Sequence, residues 1–83
     1  MTLNVLYFAW VRERIGLPRE SLETTADTVR DLVGELVARE ERYALAFSDL
    51  EALRVALDQE LKDFDAPLAG VREVAFFPPM TGG

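Results

Sequence analysis

The residues best suited to chemistry stand at the end of the sequence, where an apolar run leads through two prolines into two glycines. Proline fixes φ and has no backbone N–H, so this pair is expected to end a strand and to continue as a stiff, extended segment. Glycine has no Cβ, so a Gly-Gly end is slim and adaptable. Six extended residues reach roughly 20 Å at about 3.3–3.6 Å each. The sequence therefore predicts an arm with a free carboxylate that can enter a narrow slot in another protein: Pro78, Pro79, Met80, Thr81, Gly82 and Gly83.

A disordered chain end is the alternative interpretation of the same residues. Terminal segments are commonly disordered, and terminal glycines alone are weak evidence of function. The apolar run 74–77 passes directly into the prolines, with no Ser/Gly linker between them. This direct connection favours an arm that is held out from a folded body.

Composition limits the class of protein. Eighty-three residues make one small domain, and the net charge of −6 argues against nucleic-acid binding because the phosphate backbone would repel it. The chain contains no cysteine and no histidine, which removes the cysteine nucleophile, the usual general base and the commonest metal ligands. No apolar run is long enough to span a bilayer. These features predict a cytoplasmic protein that binds no metal and no cofactor and is not catalytic alone.

Apolar periodicity predicts the elements of the domain. An apolar stripe at helical spacing predicts the main helix, and Thr28 and Asp31 form a capping box at its start. The stretch 40–53 fits no single period, so we expect a turn of helix and irregular chain there. The predicted strands cover 2–9, 20–23, 55–57, 61–62 and 72–77, with a short helix over 10–15 closed by Gly16. The stripe of the main helix consists of Val29, Leu32, Val33, Leu36 and Val37.

Strands at both ends with one long helix between them predict an α+β fold, with a helix packed across one face of a mixed sheet. If the first and last strands are central neighbours, the middle of the chain supplies the crossover between them. One strand face then meets the helix in the core, through Leu3, Val5, Tyr7, Val74 and Phe76. The opposite face carries Leu6, Phe8, Ala75 and Phe77. This second face is either a partner surface or is covered by residues 40–53.

The end of the sequence, Glu73-Val-Ala-Phe-Phe-Pro-Pro-Met-Thr-Gly-Gly83, closely resembles the C-terminus of the small, sulfur-carrying subunits of molybdopterin synthase. A bare Gly-Gly is weak evidence, whereas the complete Phe-Phe-Pro-Pro-x-Thr-Gly-Gly ending is specific. The resemblance extends in order over essentially the whole chain, through the segments 6–13, 28–32, 42–46, 57–61 and 67–68.

That resemblance implies a ubiquitin-like β-grasp domain over 1–77 and an extended tail over 78–83. It also implies an ATP-dependent adenylating enzyme related to ubiquitin-activating enzymes and a sulfurtransferase or desulfurase donor. The terminal glycine would become an adenylate and then a thiocarboxylate. Its sulfur would pass to cyclic pyranopterin monophosphate inside the large synthase subunit, in a heterotetramer of two small and two large subunits.

Matched by position, the resemblance makes Gly83 the residue that is adenylated and thiocarboxylated, with Gly82 as its slim neighbour in the channel. It makes Phe77 and Leu61 apolar contacts with the large subunit and Arg12 a basic position near them. We add Leu6 and Phe8 from the second sheet face to this predicted interface. Thr81 has no base beside it, so we interpret it as a contact of the tail.

The sequence departs from the pattern of this family at two places, and both are in predicted loops. Asp58 stands where Asn is frequent in the family, and the stretch 48–53 is slightly long.

Three other functions remain open at this point. The first is a sulfur carrier for thiamine, tRNA or cysteine synthesis, although thiamine carriers are usually shorter and lack the Phe-Phe-Pro-Pro segment. The second is a ubiquitin-like modifier that is joined to lysines. The third, from a different class, is a non-covalent interaction module in which Gly82 and Gly83 are dispensable.

Overall fold

The computed structural model describes residues 1–79, and four residues of the predicted tail, Met80, Thr81, Gly82 and Gly83, lie outside that range. The elements are β1 Thr2–Tyr7, α1 Ala9–Ile15, β2 Arg19–Glu23, α2 Val29–Arg39, α3 Glu41–Ala46, a 3-10 helix at Leu50–Ala52, β3 Arg54–Leu57, β4 Glu60–Lys62 and β5 Glu73–Phe77.

The five strands form one mixed sheet in the order β2-β1-β5-β3-β4. β1 and β5 are parallel neighbours in its centre, with Leu6 opposite Ala75, and the other pairs are antiparallel. A parallel pair cannot be joined by a tight turn, so the chain between β1 and β5 must cross over, and the helices lie in this crossover. The predicted pairing of the first and last strands is confirmed.

The core lies between one face of the sheet and the helices. The strand residues that point inward are almost completely buried, and so are three residues of α2, Val29, Leu32 and Leu36. Burial of one such side chain contributes about 1.5–3 kcal/mol. Val37 was predicted to complete the stripe of α2, but it is 37% exposed, because the stripe rotates away from the sheet at the end of the helix. The inward strand residues are the predicted ones, Leu3, Val5, Tyr7, Val74 and Phe76.

A side-chain cap starts α2, and a glycine ends α1. The Thr28 hydroxyl accepts the N–H of Asp31 at 3.2 Å, a cap typically worth about 1 kcal/mol. α1 ends at Gly16, whose φ of 88° places it in the left-handed region and whose N–H donates to the carbonyl of Arg12. Both ends are where the sequence predicts them.

Residues 40–53 pack on the helical side of the sheet. α3 contacts α1 and α2, and the rings of Phe47 and Phe76 meet edge to face with centroids 4.9 Å apart. α2 is the longest helix at 11 residues, and α1 and α3 lie in the same layer, so the predicted single long helix has two short companions. The second sheet face is therefore not covered by this segment.

The turn between β3 and β4 fixes the start of β5. Asp58 and Gln59 have φ of 50° and 72°, which gives the two positive φ values of a tight hairpin. The Asp58 carboxylate accepts the N–H groups of Arg72 and Glu73 at 3.0 and 2.9 Å. The hairpin and the last strand are thus held together at one end of the sheet.

In the part of the chain from residue 1 to 79, every helix falls short of the length and apolar character that crossing a membrane requires.

Candidate functional site

The tail begins at a rigid central strand. β5 is paired on both sides, with β1 and with β3, and it ends at Phe77. Pro78 is partly buried and Pro79 is exposed, both beyond the ladder. A proline has no N–H to donate to a neighbouring strand, so the pair ends the sheet where the sequence predicts. The remaining tail residues lie outside the described range, so the roles of Gly83, Gly82, Thr81 and Met80 stay predictions.

The sheet face opposite the helices is apolar near this tail root. We call it the open face. The strand register places Leu6, Ala75, Ala56 and Leu61 side by side across β1, β5, β3 and β4. Phe77 lies one step further along β5, towards Pro78.

The predicted contact residues are brought together on or beside this face. Leu6 and Phe77 are partly buried, whereas Phe8 is 47% exposed and Leu61 is 67% exposed. Arg12 is exposed one helical turn after Phe8, and its N–H donates to the Phe8 carbonyl. Exposed apolar side chains gathered next to a tail root are typical of a docking surface. Their role in binding a partner stays a prediction.

Three residues of the open face were missed by the sequence-based prediction. Ala56 completes the apolar row, and Arg19 and Arg54 lie at its sides, opposite Leu6 and Phe77. The alternation of β3 could have pointed to Ala56. The positions of the arginines depend on pairing between strands that are distant in sequence, which alternation alone does not give.

The polar cluster that most resembles catalytic machinery is structural. The hydroxyls of Tyr7 and Tyr43, both buried, donate to the same Glu20 oxygen at 2.7 and 2.5 Å. Burial, and secondly the hydrogen bond to Glu20, raise the pKa of Tyr43 to about 12 and raise the pKa of Tyr7 further. Both phenols therefore stay protonated near neutral pH and act as hydrogen-bond donors.

A hollow of about 430 Å³ lies between the 3-10 helix, β4 and the first turn of α2. The basic side chains that line it are Arg30, Arg54 and Lys62. Arg30 is paired with Asp65 at 2.8 Å and Lys62 with Glu60 at 3.5 Å. The hydrogen bond from Arg30 lowers the pKa of the exposed Asp65. In residues 1–79 no group of three or more carboxylates is arranged to hold a metal ion.

A sheet of this order with helices on one face is a ubiquitin-like β-grasp domain, and solved structures share it. SAMP1 from Haloferax volcanii superimposes with a TM-score of 0.78, at 24% identity, over 100% of both chains. A protein-protein complex of subunits 1 and 2 of molybdopterin-converting factor from Helicobacter pylori 26695 contains a chain that matches with a TM-score of 0.64, at 24% identity, again over 100% of both chains. At this level of identity these matches show the fold, and the predicted fold class is confirmed.

Sequence comparison defines the family. The ThiS family matches residues 5–83. Three curated relatives are called molybdopterin synthase sulfur carrier subunit. The Escherichia coli (strain K12) protein is 43% identical over 98% of this chain and 99% of its own length. The Haemophilus influenzae protein is 40% identical over 98% of this chain and 99% of its own length. The Mycobacterium tuberculosis protein is 34% identical over 98% of this chain and 96% of its own length. The chain therefore belongs to the ThiS family, and its resemblance to molybdopterin synthase sulfur carriers is confirmed.

Proposed function

We propose that this chain is a sulfur carrier for molybdenum cofactor biosynthesis, acting in the cytoplasm as the small subunit of molybdopterin synthase. The observation that supports this most strongly is similarity over nearly the full length to three relatives named as such carriers. The geometry agrees with the proposal, because a rigid central strand leads directly into Pro78 and Pro79 beside an exposed apolar face.

The reacting atom is the carboxylate of Gly83. A carboxylate is a poor acyl donor because oxide is a poor leaving group. In the adenylating enzyme, one carboxylate oxygen attacks the α-phosphate of ATP, and pyrophosphate leaves. A sulfur nucleophile from a sulfurtransferase or desulfurase donor then attacks the acyl carbon. The new C–S bond forms as the C–O bond to AMP breaks, and a thiol reductant then cleaves the S–S bond that still joins this sulfur to the donor, which leaves a terminal thiocarboxylate.

The second stage takes place in the large subunit. The thiocarboxylate sulfur forms a C–S bond to a carbon of cyclic pyranopterin monophosphate as a C–O bond at that carbon breaks, and hydrolysis of the acyl–sulfur bond returns the Gly83 carboxylate. Two such transfers build the dithiolene. The chain has no histidine or cysteine, and its two tyrosines are held protonated by Glu20, so the large subunit must supply the acid–base groups and the cationic stabilisation. The chain is accordingly a co-substrate and not a catalyst by itself.

The open face is the proposed docking surface for the large subunit. Leu6, Phe8, Phe77 and Leu61 would be buried there, with Arg12 at the side. Burial of exposed apolar area contributes about 25 cal/mol per Å². Docking at the root of the tail also fixes the direction in which residues 78–83 leave the domain, so that one partner holds the body and receives the arm. The H. pylori complex of subunits 1 and 2 supports a partner of this kind.

Mass spectrometry of the intact protein tests the proposal. Chain purified from cells with the pathway intact should contain a fraction in which sulfur replaces one oxygen, located at Gly83 by fragmentation. Addition of purified large subunit and precursor pterin should consume that fraction and form molybdopterin. Sulfurated chain that leaves the pterin untouched would indicate a carrier for thiamine, tRNA or cysteine synthesis.

A chain extended by one uncleavable residue after Gly83 is the matched control. It keeps the domain and the open face but has no glycine carboxylate to activate, so it should neither gain sulfur nor form molybdopterin. Undiminished sulfur transfer from the extended chain would show that the terminus is not the carrier group. Recovery of the chain bonded through Gly83 to lysines, without pterin sulfuration, would indicate a protein modifier instead.

A further inference from the structure

Positive and negative side chains lie at opposite ends of the open face. Arg19 on β2 lies opposite Leu6, and Arg54 on β3 lies opposite Phe77. Both arginines are exposed and occupy the end of the face where the tail leaves the domain. Three strand spacings of about 4.8 Å separate β2 from β3, and Arg54 lies two residues further along the strands than Arg19, so their Cα atoms are roughly 16 Å apart. The two arginines therefore lie on either side of the central strands β1 and β5, and Leu61 lies beyond Arg54 on β4.

The other end of the same face is acidic. Glu73 lies opposite Asn4, and Glu23 lies opposite Thr2. Asp58 adjoins Glu73 through a hydrogen bond from its N–H to the Glu73 carbonyl. A partner that covers the face thus meets positive charge near the tail root and, at the far end, the negative charge of Glu73 and Asp58, because the Glu23 carboxylate is paired with the Met1 ammonium at 3.9 Å. Such a distribution favours one orientation of docking over its reverse.

The two arginines have no carboxylate partner within the domain. In residues 1–79 the ion pairs formed by arginine or lysine side chains are Arg30 with Asp65, Arg42 with Glu40 and Lys62 with Glu60. Arg19 and Arg54 form none. Six of the nine basic residues form no ion pair in this range, and Arg19 and Arg54 are the two of these six that lie in strands of the sheet. A partner that buries the apolar row beside them without offering carboxylates would leave two cations desolvated and unpaired.

Arg54 is also held in place. Its Nη1 donates to the backbone carbonyls of Glu51 at 3.1 Å and Leu53 at 2.8 Å. These bonds hold one nitrogen beside the 3-10 helix, at the rim of the hollow that Arg54 lines with Glu51 and Asp63, so less rotamer freedom is lost when a partner binds. The remaining face of the guanidinium fork suits a bidentate carboxylate.

We propose that Arg19 and Arg54 form a two-point electrostatic recognition site that selects a large subunit carrying carboxylates on both sides of the surface that contacts the central strands β1 and β5. The inference rests on the proposed function, because it takes the large subunit as the occupant of the open face. The apolar row supplies the contact area, and the arginines set the orientation and accelerate the encounter. In that orientation the tail root lies at the cationic end of the contact.

Stopped-flow association of the unsulfurated chain with its cognate large subunit tests the inference. The variants Arg19→Glu and Arg54→Glu should each lower the association rate constant about tenfold at low salt. The difference should shrink to less than about twofold near 0.5 M salt, where the Debye length is only about 4 Å. Arg19→Lys and Arg54→Lys, which keep the charge, should remain close to wild type.

Arg39→Glu is the matched control. It makes the same change in net charge at an exposed residue in the last turn of α2, on the helical side of the domain. It should change the rate constant less than about twofold, because it lies away from the proposed contact. If Arg54→Glu does not fold, Arg54→Gln replaces it in the rate measurement. The glutamine removes the positive charge without adding a carboxylate beside the Glu51 carbonyl. Circular dichroism checks the fold of each variant.

The outcomes separate the inference from the proposed function. If the wild-type chain binds and forms molybdopterin, but Arg19→Glu and Arg54→Glu match Arg39→Glu at every salt concentration, the inference is wrong and the function stands. Arginine-dependent binding to the adenylating enzyme, with none to the large subunit, also overturns the inference. A wild-type chain that does not bind the large subunit at all overturns both.

Discussion

Leu61 of the edge strand β4 lies directly opposite Ala56 of β3, and 67% of its surface is exposed on the open face. A large apolar side chain at the outer side of a sheet gains little from the fold of the free domain. It contributes only when a partner covers it. This makes Leu61 a suitable position at which to separate partner binding from stability.

Leu61→Ala is expected to weaken binding to the large subunit about tenfold, which corresponds to about 1.4 kcal/mol of lost apolar burial. The free energy of unfolding should change by less than about 0.5 kcal/mol, because the side chain is exposed in the free domain. Titration calorimetry and urea unfolding measure the two effects. Leu45→Ala is the matched control, since Leu45 is 60% exposed on α3, which packs on the helical side. Equal loss of affinity in both variants would contradict the assignment of the open face.

Much of this fold is visible in the sequence. Apolar alternation in β1 and β5 separates the core face from the open face, and the period of α2 identifies the helix that covers the core. The two terminal strands as central neighbours were a condition in the sequence reasoning, for which the middle of the chain supplies the required long crossover, and the sheet has this arrangement. These features are local patterns joined by one rule of connectivity, so sequence reasoning is sufficient for them.

The missed features depend on contacts between distant segments. Residues 40–53 form one six-residue helix and one three-residue 3-10 helix, and both are too short to show a helical period. Tyr43 is ordered there by Glu20 of β2, 23 residues away. Arg19 and Arg54 join the candidate site only through strand register. The tail is the reverse case, because its residue types predict an extended arm without any distant contact, and this stays a prediction for residues 80–83.

Removal of the Glu20 carboxylate is expected to destabilise the domain, because it leaves the hydroxyls of Tyr7 and Tyr43 buried without their acceptor. Glu20→Ala should lower the free energy of unfolding by about 2–6 kcal/mol, at about 1–3 kcal/mol for each of the two unsatisfied hydroxyls. Tyr43→Phe, which removes one donor and leaves the carboxylate bonded to Tyr7, should lower it by only about 1 kcal/mol. Urea unfolding measures both. A Glu20→Ala variant as stable as wild type would show that the cluster does not hold α3 to the sheet.

Alkaline pH should unfold the domain through the same cluster. The folded state raises the pKa of Tyr43 to about 12 and that of Tyr7 further, against an ordinary value of 10.0. A raised pKa means that the stabilisation is fully present below pH 10 and is lost as pH rises through the folded value. The free energy of unfolding should fall by up to about 1.4 kcal/mol per pH unit for each tyrosine above pH 10.

Tyrosinate absorbance checks this directly, because the sequence contains only two tyrosines. In the folded protein neither should ionise near pH 10, and ionisation should coincide with loss of the circular dichroism signal. Tyr43→Phe should show a shallower fall in stability above pH 10. Reversible ionisation of both tyrosines near pH 10 in the folded domain would contradict the predicted coupling.

The turn at Asp58 and Gln59 accounts for one departure from the family and gives a last prediction. Asn tolerates positive φ, as at Asp58, and its side-chain oxygen can also accept the N–H groups of Arg72 and Glu73, so Asp58→Asn should be nearly neutral. Asp58→Ala loses both hydrogen bonds and should destabilise by about 1–2 kcal/mol.

Gln59 has a φ of 72°, which favours glycine, so Gln59→Gly should stabilise by about 0.5–1 kcal/mol. Thermal unfolding should therefore rank Gln59→Gly above wild type and Asp58→Ala below it. A Gln59→Gly variant less stable than wild type would show that the hairpin does not hold the left-handed conformation described for it.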